Sequence, residues 1–267
     1  MWVPRKADLV TVAVSVLMAT IGLAVSPSPA QAAATTCSPS GGGNYFDGFY
    51  HNNATWPQHN WEGASAYIKV AYPGTCSGGF RPWSNAWVMI APNTRQPGDP
   101  GYGQVGYVRD VRDPGAIEQF RIFAEFANDL DGDGVVDTSA GSLEWKRDYW
   151  QDAVSGTAPA FRVLWNPSTG NLDASYNGTV FSSSRFNPFH SAWQQPFSPQ
   201  FMGETKYQTG NMPGVPAARA SFTALGAQRV SDNALVSMSC SMTASNQNTA
   251  LWGLQAFGCT AFDIWQK

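Results

Sequence analysis

Two short stretches, Gly103-Gln104-Val105-Gly106-Tyr107 and Met202-Gly203-Glu204-Thr205-Lys206, each set a polar side chain directly after a glycine. Glycine weakens a strand and marks a bulge or a close approach to the backbone. A glutamine offers an amide donor, and a glutamate offers a carboxylate that can take up and return a proton. Facing one cleft, the pair can activate a water and hold an oxyanion, which is what hydrolysis of a peptide bond needs. In that arrangement Glu204 deprotonates the water and returns the proton to the leaving amine. Gln104 cannot act as a base, but it can donate to the oxyanion. Side chains alternate faces along a strand, so a polar concave sheet face would place Trp87, Gln104, Glu125 and Glu204 along one groove, Trp87 and Glu125 shaping it for substrate.

Short strands must carry these residues. Ala64 to Tyr72, Asn85 to Ala91, Tyr102 to Arg109 and Gln119 to Phe126 are rich in aromatic or β-branched residues and bounded by Pro, Gly, Asn or Asp. Later candidates are Phe161 to Trp165, Ala174 to Phe181, Phe201 to Tyr207, Ala220 to Leu225 and Leu235 to Cys240, with one or two more between Leu251 and Trp265. No segment keeps a 3.6-residue apolar period over three turns. The pattern predicts an all-β fold, an antiparallel β-sandwich of jelly-roll-like form. Ser38 to Asn44 reads as a loose Gly/Ser stretch and Ser182 to Pro199 as a long surface loop.

Three segments follow. Residues 1–32 carry Arg5 and Lys6, an apolar run from Leu9 to Val25 and Ala30-Gln31-Ala32, the layout of a secretory leader with its cleavage site. Residues 33–62 read as an N-terminal extension and 63–267 as the sandwich domain. The protein is expected to be secreted and extracellular, with no membrane association once the leader is cleaved. Cys37, Cys76, Cys240 and Cys259 all lie beyond the leader. An even count in an exported chain predicts two disulfides. Of three connectivities, the two local loops Cys37–Cys76 and Cys240–Cys259 are favoured. The chain of 267 residues has 16 basic and 19 acidic residues and no basic run, which argues against a nucleic-acid partner. No G-x-S-x-G is present, and His51, His59 and His190 are scattered, which argues against a serine hydrolase.

Asp129-Leu130-Asp131-Gly132-Asp133-Gly134-Val135-Val136-Asp137 places carboxylates at relative positions 1, 3, 5 and 9, with glycine at 6. Oxygen ligands at this spacing suit Ca²⁺ in a structural role, with Asp129, Asp131, Asp133 and Asp137 as ligands. Position 12 is Ala140 rather than a glutamate. Glu144 substitutes only if the loop bulges. A solvated acidic turn is the alternative.

The order of motifs resembles the glutamic peptidases. Trp87-Val88-Met89-Ile90, Gln104-Val105-Gly106, Phe123-Ala124-Glu125-Phe126 and the late Glu204 are similar to the strands of the fungal acid-acting group with a Gln/Glu dyad. Gly63-Ala64-Ser65-Ala66-Tyr67-Ile68, Gln104-Val105-Gly106-Tyr107, Gly203-Glu204 and Thr209 to Gly214 are similar to neprosin-type prolyl-cleaving enzymes. The likeness spans Gly63 to Gly214. It implies an endopeptidase acting on polypeptides at acidic pH, with Gln104 and Glu204 as the dyad. Neprosins have a glutamate where Gln104 stands, and the fungal group has an acidic residue where Ala91 stands.

Plainer readings stand beside this one. Gln104 can be a hydrogen-bonded residue of a solvated sheet face, Glu204 a surface partner of Lys206, and Glu125 a partner of Arg121. Beyond the leader, ten tryptophans and nine tyrosines could also serve a non-catalytic secreted module that binds carbohydrate or a cell surface.

Overall fold

The computed structural model describes residues 42–51, 61–73, 83–92, 101–110, 119–130, 135–139, 142–188, 197–238, 240 and 242–267. Among them are sixteen strands and no helix: β1 Gly42–His51, β2 Trp61–Ile68, β3 Ser84–Pro92, β4 Gly101–Asp110, β5 Gln119–Asn128, β6 Trp145–Asp152, β7 Ala160–Asn166 and β8 Asn171–Tyr176. They continue with β9 Thr179–Ser183, β10 Phe197–Tyr207, β11 Gly214–Val215, β12 Ala218–Arg229, β13 Leu235–Ser237, β14 Met242–Asn246, β15 Trp252–Ala256 and β16 Ala261–Gln266. One sheet runs β14-β1-β10-β3-β4-β5-β6. The other runs β15-β16-β12-β2-β7-β8-β9, with β11 and β13 added on β12. Every pairing is antiparallel.

The two sheets bury one face each against the other. Ala86, Val88 and Ile90 of β3, Val105 and Tyr107 of β4, Ile122, Ala124 and Phe126 of β5 and Phe201 of β10 meet Ile68, Phe161, Val163, Leu172, Phe222, Phe262 and Ile264 of the second sheet. Strict alternation along β3, β4, β5 and β10 supplies this face and leaves the opposite one free for chemistry. Phe262 stacks on Phe222 with ring centroids 4.5 Å apart and meets Phe49 edge-on at 4.9 Å. At the far side the two sheets are zipped along their edges: Lys146 of β6 donates to Ser182 Oγ and the Ser183 carbonyl, and Ser182 donates to Asp148.

Both glycines that precede the candidate polar residues face inward. A Cβ on Gly103 would sit 2.7 Å from Leu172 Cδ1, and one on Gly203 would sit 2.3 Å from Ile264 Cδ1. Each glycine therefore lets the second sheet close in, while its neighbour points to the other side.

Several elements differ from the sequence expectation. Ala174 to Phe181 is not one strand but a hairpin of β8 and β9, because Asn177 (φ 48°) and Gly178 (φ 84°) turn the chain through the left-handed region. Residues 42–51, expected in an extension with a loose Gly/Ser start, form β1, paired on both sides by β10 and β14. Strand β10 begins at Phe197, inside the expected loop. Strand β6, Trp-Lys-Arg-Asp-Tyr-Trp-Gln-Asp, was not anticipated, because its charges hide any alternation. Cys240 and Cys259 are joined. Cys37, Cys76 and the leader lie outside the described residues.

The inter-sheet core contains a costly acid. Asp47 of β1 lies opposite Gly203, is fully buried, and neither carboxylate oxygen has a hydrogen-bond partner. Burial pushes its carboxyl up from an ordinary 3.8 to about 8, against the attraction of Lys267. Burial and the charge of Asp232 push Glu62 up to about 7. Both folded-state values lie above the unfolded ones, so the folded protein holds these protons more tightly. Their contribution is complete below about pH 4 and is lost as pH rises through 7 and 8. Thermal melts of the protein should therefore fall steadily from pH 4 to pH 8. Asp47→Asn should remove most of that slope, and an equally steep slope in the variant would refute the assignment.

Candidate functional site

The outer face of the first sheet is best read in rows that cross its strands. One row runs Phe46, Glu204, Asn85, Val108, Arg121. The next runs Gly48, Met202, Trp87, Gly106, Phe123, Tyr149. The third runs Tyr50, Gln200, Met89, Gln104, Glu125, Arg147. Gln104, Glu204, Trp87 and Glu125 thus share one face, contributed by β4, β10, β3 and β5. A second apolar cluster of Trp87, Met89, Ala91, Val108, Phe123 and Met202 forms the floor between them.

This face is not solvated. Gln104 is 6% exposed, Glu204 5%, Glu125 3% and Trp87 1%. The Glu204 carboxylate is met through Oε2 by Trp87 Nε1 at 2.7 Å and Asn85 Nδ2 at 3.2 Å. Alternation along Ser84-Asn85-Ala86-Trp87 brings both donors to the strand beside Glu204. Gly106, directly across from Trp87, has no space for a side chain: a Cβ there would lie 2.0 Å from the Ala86 carbonyl oxygen. Gln104 makes no side-chain hydrogen bond with any described residue.

Glu204 pairs with Asn85 and Gln104 with Met89, four residues along β3. A flat ladder then separates their Cα atoms by about 13 Å along the strands and about 10 Å across them. Trp87 stands midway. The two functional groups share a water only by leaning toward each other over the indole, and the Trp87 hydrogen bond already draws the Glu204 carboxylate that way.

Glu125 is held differently from the expectation. Its partner is Arg147 of β6, directly opposite, and not Arg121. Oε1 accepts from Tyr102 Oη at 2.6 Å and from Trp145 Nε1 at 3.0 Å, while Oε2 takes the Arg147 guanidinium. Arg121 instead stacks 5.0 Å over the Tyr149 ring. Burial, with the charges of Glu125 and Glu204 behind it, raises the Tyr102 phenol well above its usual range. It stays a proton donor at any working pH. Asn85, Tyr102, Trp145 and Arg147 are site residues beyond the four that the sequence singles out. The first two were legible from i, i+2 alternation, the last two only from strand pairing.

The acidic loop is partly visible. Asp131 and Asp133 lie outside the described residues. Glu144 is buried, and its oxygens accept from the backbone N–H groups of Leu130 at 2.8 Å and Asp137 at 2.7 Å. It ties the loop together rather than standing open as a ligand. The Asp137 carboxylate takes the N–H and hydroxyl of Ser139. Among the described residues no cluster of three or more His, Cys, Asp or Glu is placed to hold a metal ion.

No protein-family model matches the sequence, and no curated protein matches it. Among solved structures, scytalido-glutamic peptidase, determined with a peptide-based transition-state analogue, superposes with a TM-score of 0.51 at 14% identity, over 84% of this chain and 98% of that one. SCP-B, a member of the eqolisin family of peptidases in complex with the tripeptide Ala-Ile-His, gives 0.47 at 13% identity over 84% and 98%. The kappa-carrageenase of Pseudoalteromonas carrageenovora gives 0.33 at 11% identity over 58% and 57%, too low to bear on the fold. The chain has a glutamic-peptidase-like fold.

The Glu125–Arg147 pair lends itself to a mutant cycle. Glu125→Gln should destabilise the protein by about 2–3 kcal/mol in urea melts, since Arg147, 28% exposed, loses its counter-charge. Adding Arg147→Gln should recover part of that loss. Strictly additive effects would show that the two residues do not act as a pair.

Proposed function

We propose that this chain is a secreted endopeptidase of the glutamic type, acting on polypeptides. The observation that carries the reading is a carboxylate held by Trp87 and Asn85 on the same buried sheet face as an amide, Gln104, that has no side-chain partner among the described residues. The leader-like N-terminus and the Cys240–Cys259 disulfide support export. The glutamic-peptidase-like fold supports the substrate class.

The chemistry follows from what each group can do. Glu204, ionised, accepts a proton from a water lying over Trp87, and that water attacks the carbonyl carbon of the scissile bond. Trp87 and Asn85 keep the carboxylate in place without protonating it. Gln104 donates its amide N–H to the oxygen that becomes negative. Glu204 then passes the proton to the departing amine as the C–N bond breaks. The Arg147 ion pair neutralises Glu125 beside Gln104, so a second free negative charge does not oppose the oxyanion.

Purified mature protein incubated with denatured protein substrates from pH 3 to 7 should generate new termini by mass spectrometry. Glu204→Gln should abolish them, and Gln104→Leu should lower kcat by about 10²–10³, the usual effect of losing one oxyanion donor. A folded parent that cleaves nothing at any pH would overturn the reading and turn attention to carbohydrate or surface binding.

We also propose a structural Ca²⁺ in the loop 129–137, supported by its carboxylate spacing and by the way Glu144 fixes its two ends. Chelator should lower the melting temperature by several degrees, and added Ca²⁺ should restore it. An unchanged melt would refute calcium binding.

A further inference from the structure

Gln200 stands on the outer face of β10, the face that carries Glu204, directly opposite Tyr50 on one side and Met89 on the other. It is fully buried, and neither Oε1 nor Nε2 has a hydrogen-bond partner. Met89 across the ladder and Met202 two residues along β10 both belong to the apolar floor, so a methionine suits this position. A buried primary amide with nothing to bond disfavours folding. Its presence calls for a ligand that the folded chain does not supply.

The register says where such a ligand lies. Gln104 faces Met89 from β4, just as Gln200 faces it from β10, so the two amides flank one residue in one row. Gln104 too lacks a side-chain partner among the described residues, and Asn85 leaves its Oδ1 unpaired. Two strand spacings put Gln104 and Gln200 about 10 Å apart, the length of about three residues of extended chain. A primary amide both donates and accepts, which matches the N–H and C=O that every extended residue presents. Among the described residues it is Met89 that lies between them in this row, and it offers no charge to favour an ionic side chain. Tyr50 packs half-buried against this cluster, and its ring must swing outward for a ligand to reach the amide.

We propose that Gln200 is a substrate-binding residue that hydrogen-bonds the main chain of an extended polypeptide about three residues from the peptide bond held at Gln104. The substrate then crosses the strands from β4 toward β1 along this row. This inference rests on the peptidase reading above.

Peptide kinetics with Gln200→Met test it. The variant removes both hydrogen-bonding atoms but keeps side-chain length, so its melting temperature should hold or rise. KM for peptides reaching the third residue should rise about tenfold, with a much smaller change in kcat. The difference should vanish with peptides cut short of that residue. Replacing successive substrate amides by esters should locate one position where the parent loses about tenfold and Gln200→Met loses nothing further. Unchanged KM and unchanged ester penalties would overturn the inference and leave the peptidase reading intact, as would a lowered melting temperature with no change in KM. A folded parent that cleaves no peptide, whether or not it binds oligosaccharide, would overturn both.

Discussion

Carboxylates are rarely left on a nearly dry sheet face, because an ionised oxygen without donors loses its hydration for nothing. Here two such groups persist, and each is met by donors from a neighbouring strand. Glu204 takes the indole N–H of Trp87 and the amide of Asn85, both from β3. Glu125 takes Tyr102 from β4 and Trp145 and Arg147 from β6. The donors lie on strands flanking each acid, so the ladder register decides whether these carboxylates are tolerated. A one-residue slip of β3 would turn Asn85 and Trp87 into the core and leave Glu204 unsupported.

The same sheet shows what happens without donors. Asp47 sits one residue from Phe46, which faces Glu204, but points to the opposite side, where the second sheet covers it. No partner reaches its oxygens, and its proton becomes hard to remove. Two acids so close in space thus differ in chemistry through which face of one sheet they occupy. That contrast makes the folded state more stable in acid, through the buried Asp47 carboxyl.

Glycine ties the two faces together. Gly103 and Gly203 draw the second sheet inward against Leu172 and Ile264, and the alternation of the strand then sends Gln104 and Glu204 outward. Close inter-sheet packing and the outward placement of Gln104 and Glu204 are therefore consequences of the same dipeptides. Gly106 does the corresponding work within the sheet, leaving the backbone beside Trp87 unobstructed. The floor that results is apolar in the middle and amide-bearing on both sides.

The sequence by itself determined the all-β class, the boundaries of strands such as β3, β4 and β5 to within a residue or two, and the sharing of one sheet face by Trp87, Gln104, Glu125 and Glu204. These follow from local rules: side chains alternate, β-branched and aromatic residues pleat, and glycine marks close approach. It also contained the Asn177-Gly178 turn, whose two positive φ angles split one expected strand in two. Only the tertiary structure decided which strands are neighbours. That order chose Arg147 over Arg121 as the partner of Glu125, brought Asn85 and Trp87 to Glu204, and built β1 into the sheet from residues with little strand signal of their own. It also buried Asp47 and Gln200 without partners. Pairing between strands more than a hundred residues apart is set by burial summed over two whole sheets, and no short stretch of sequence carries that sum.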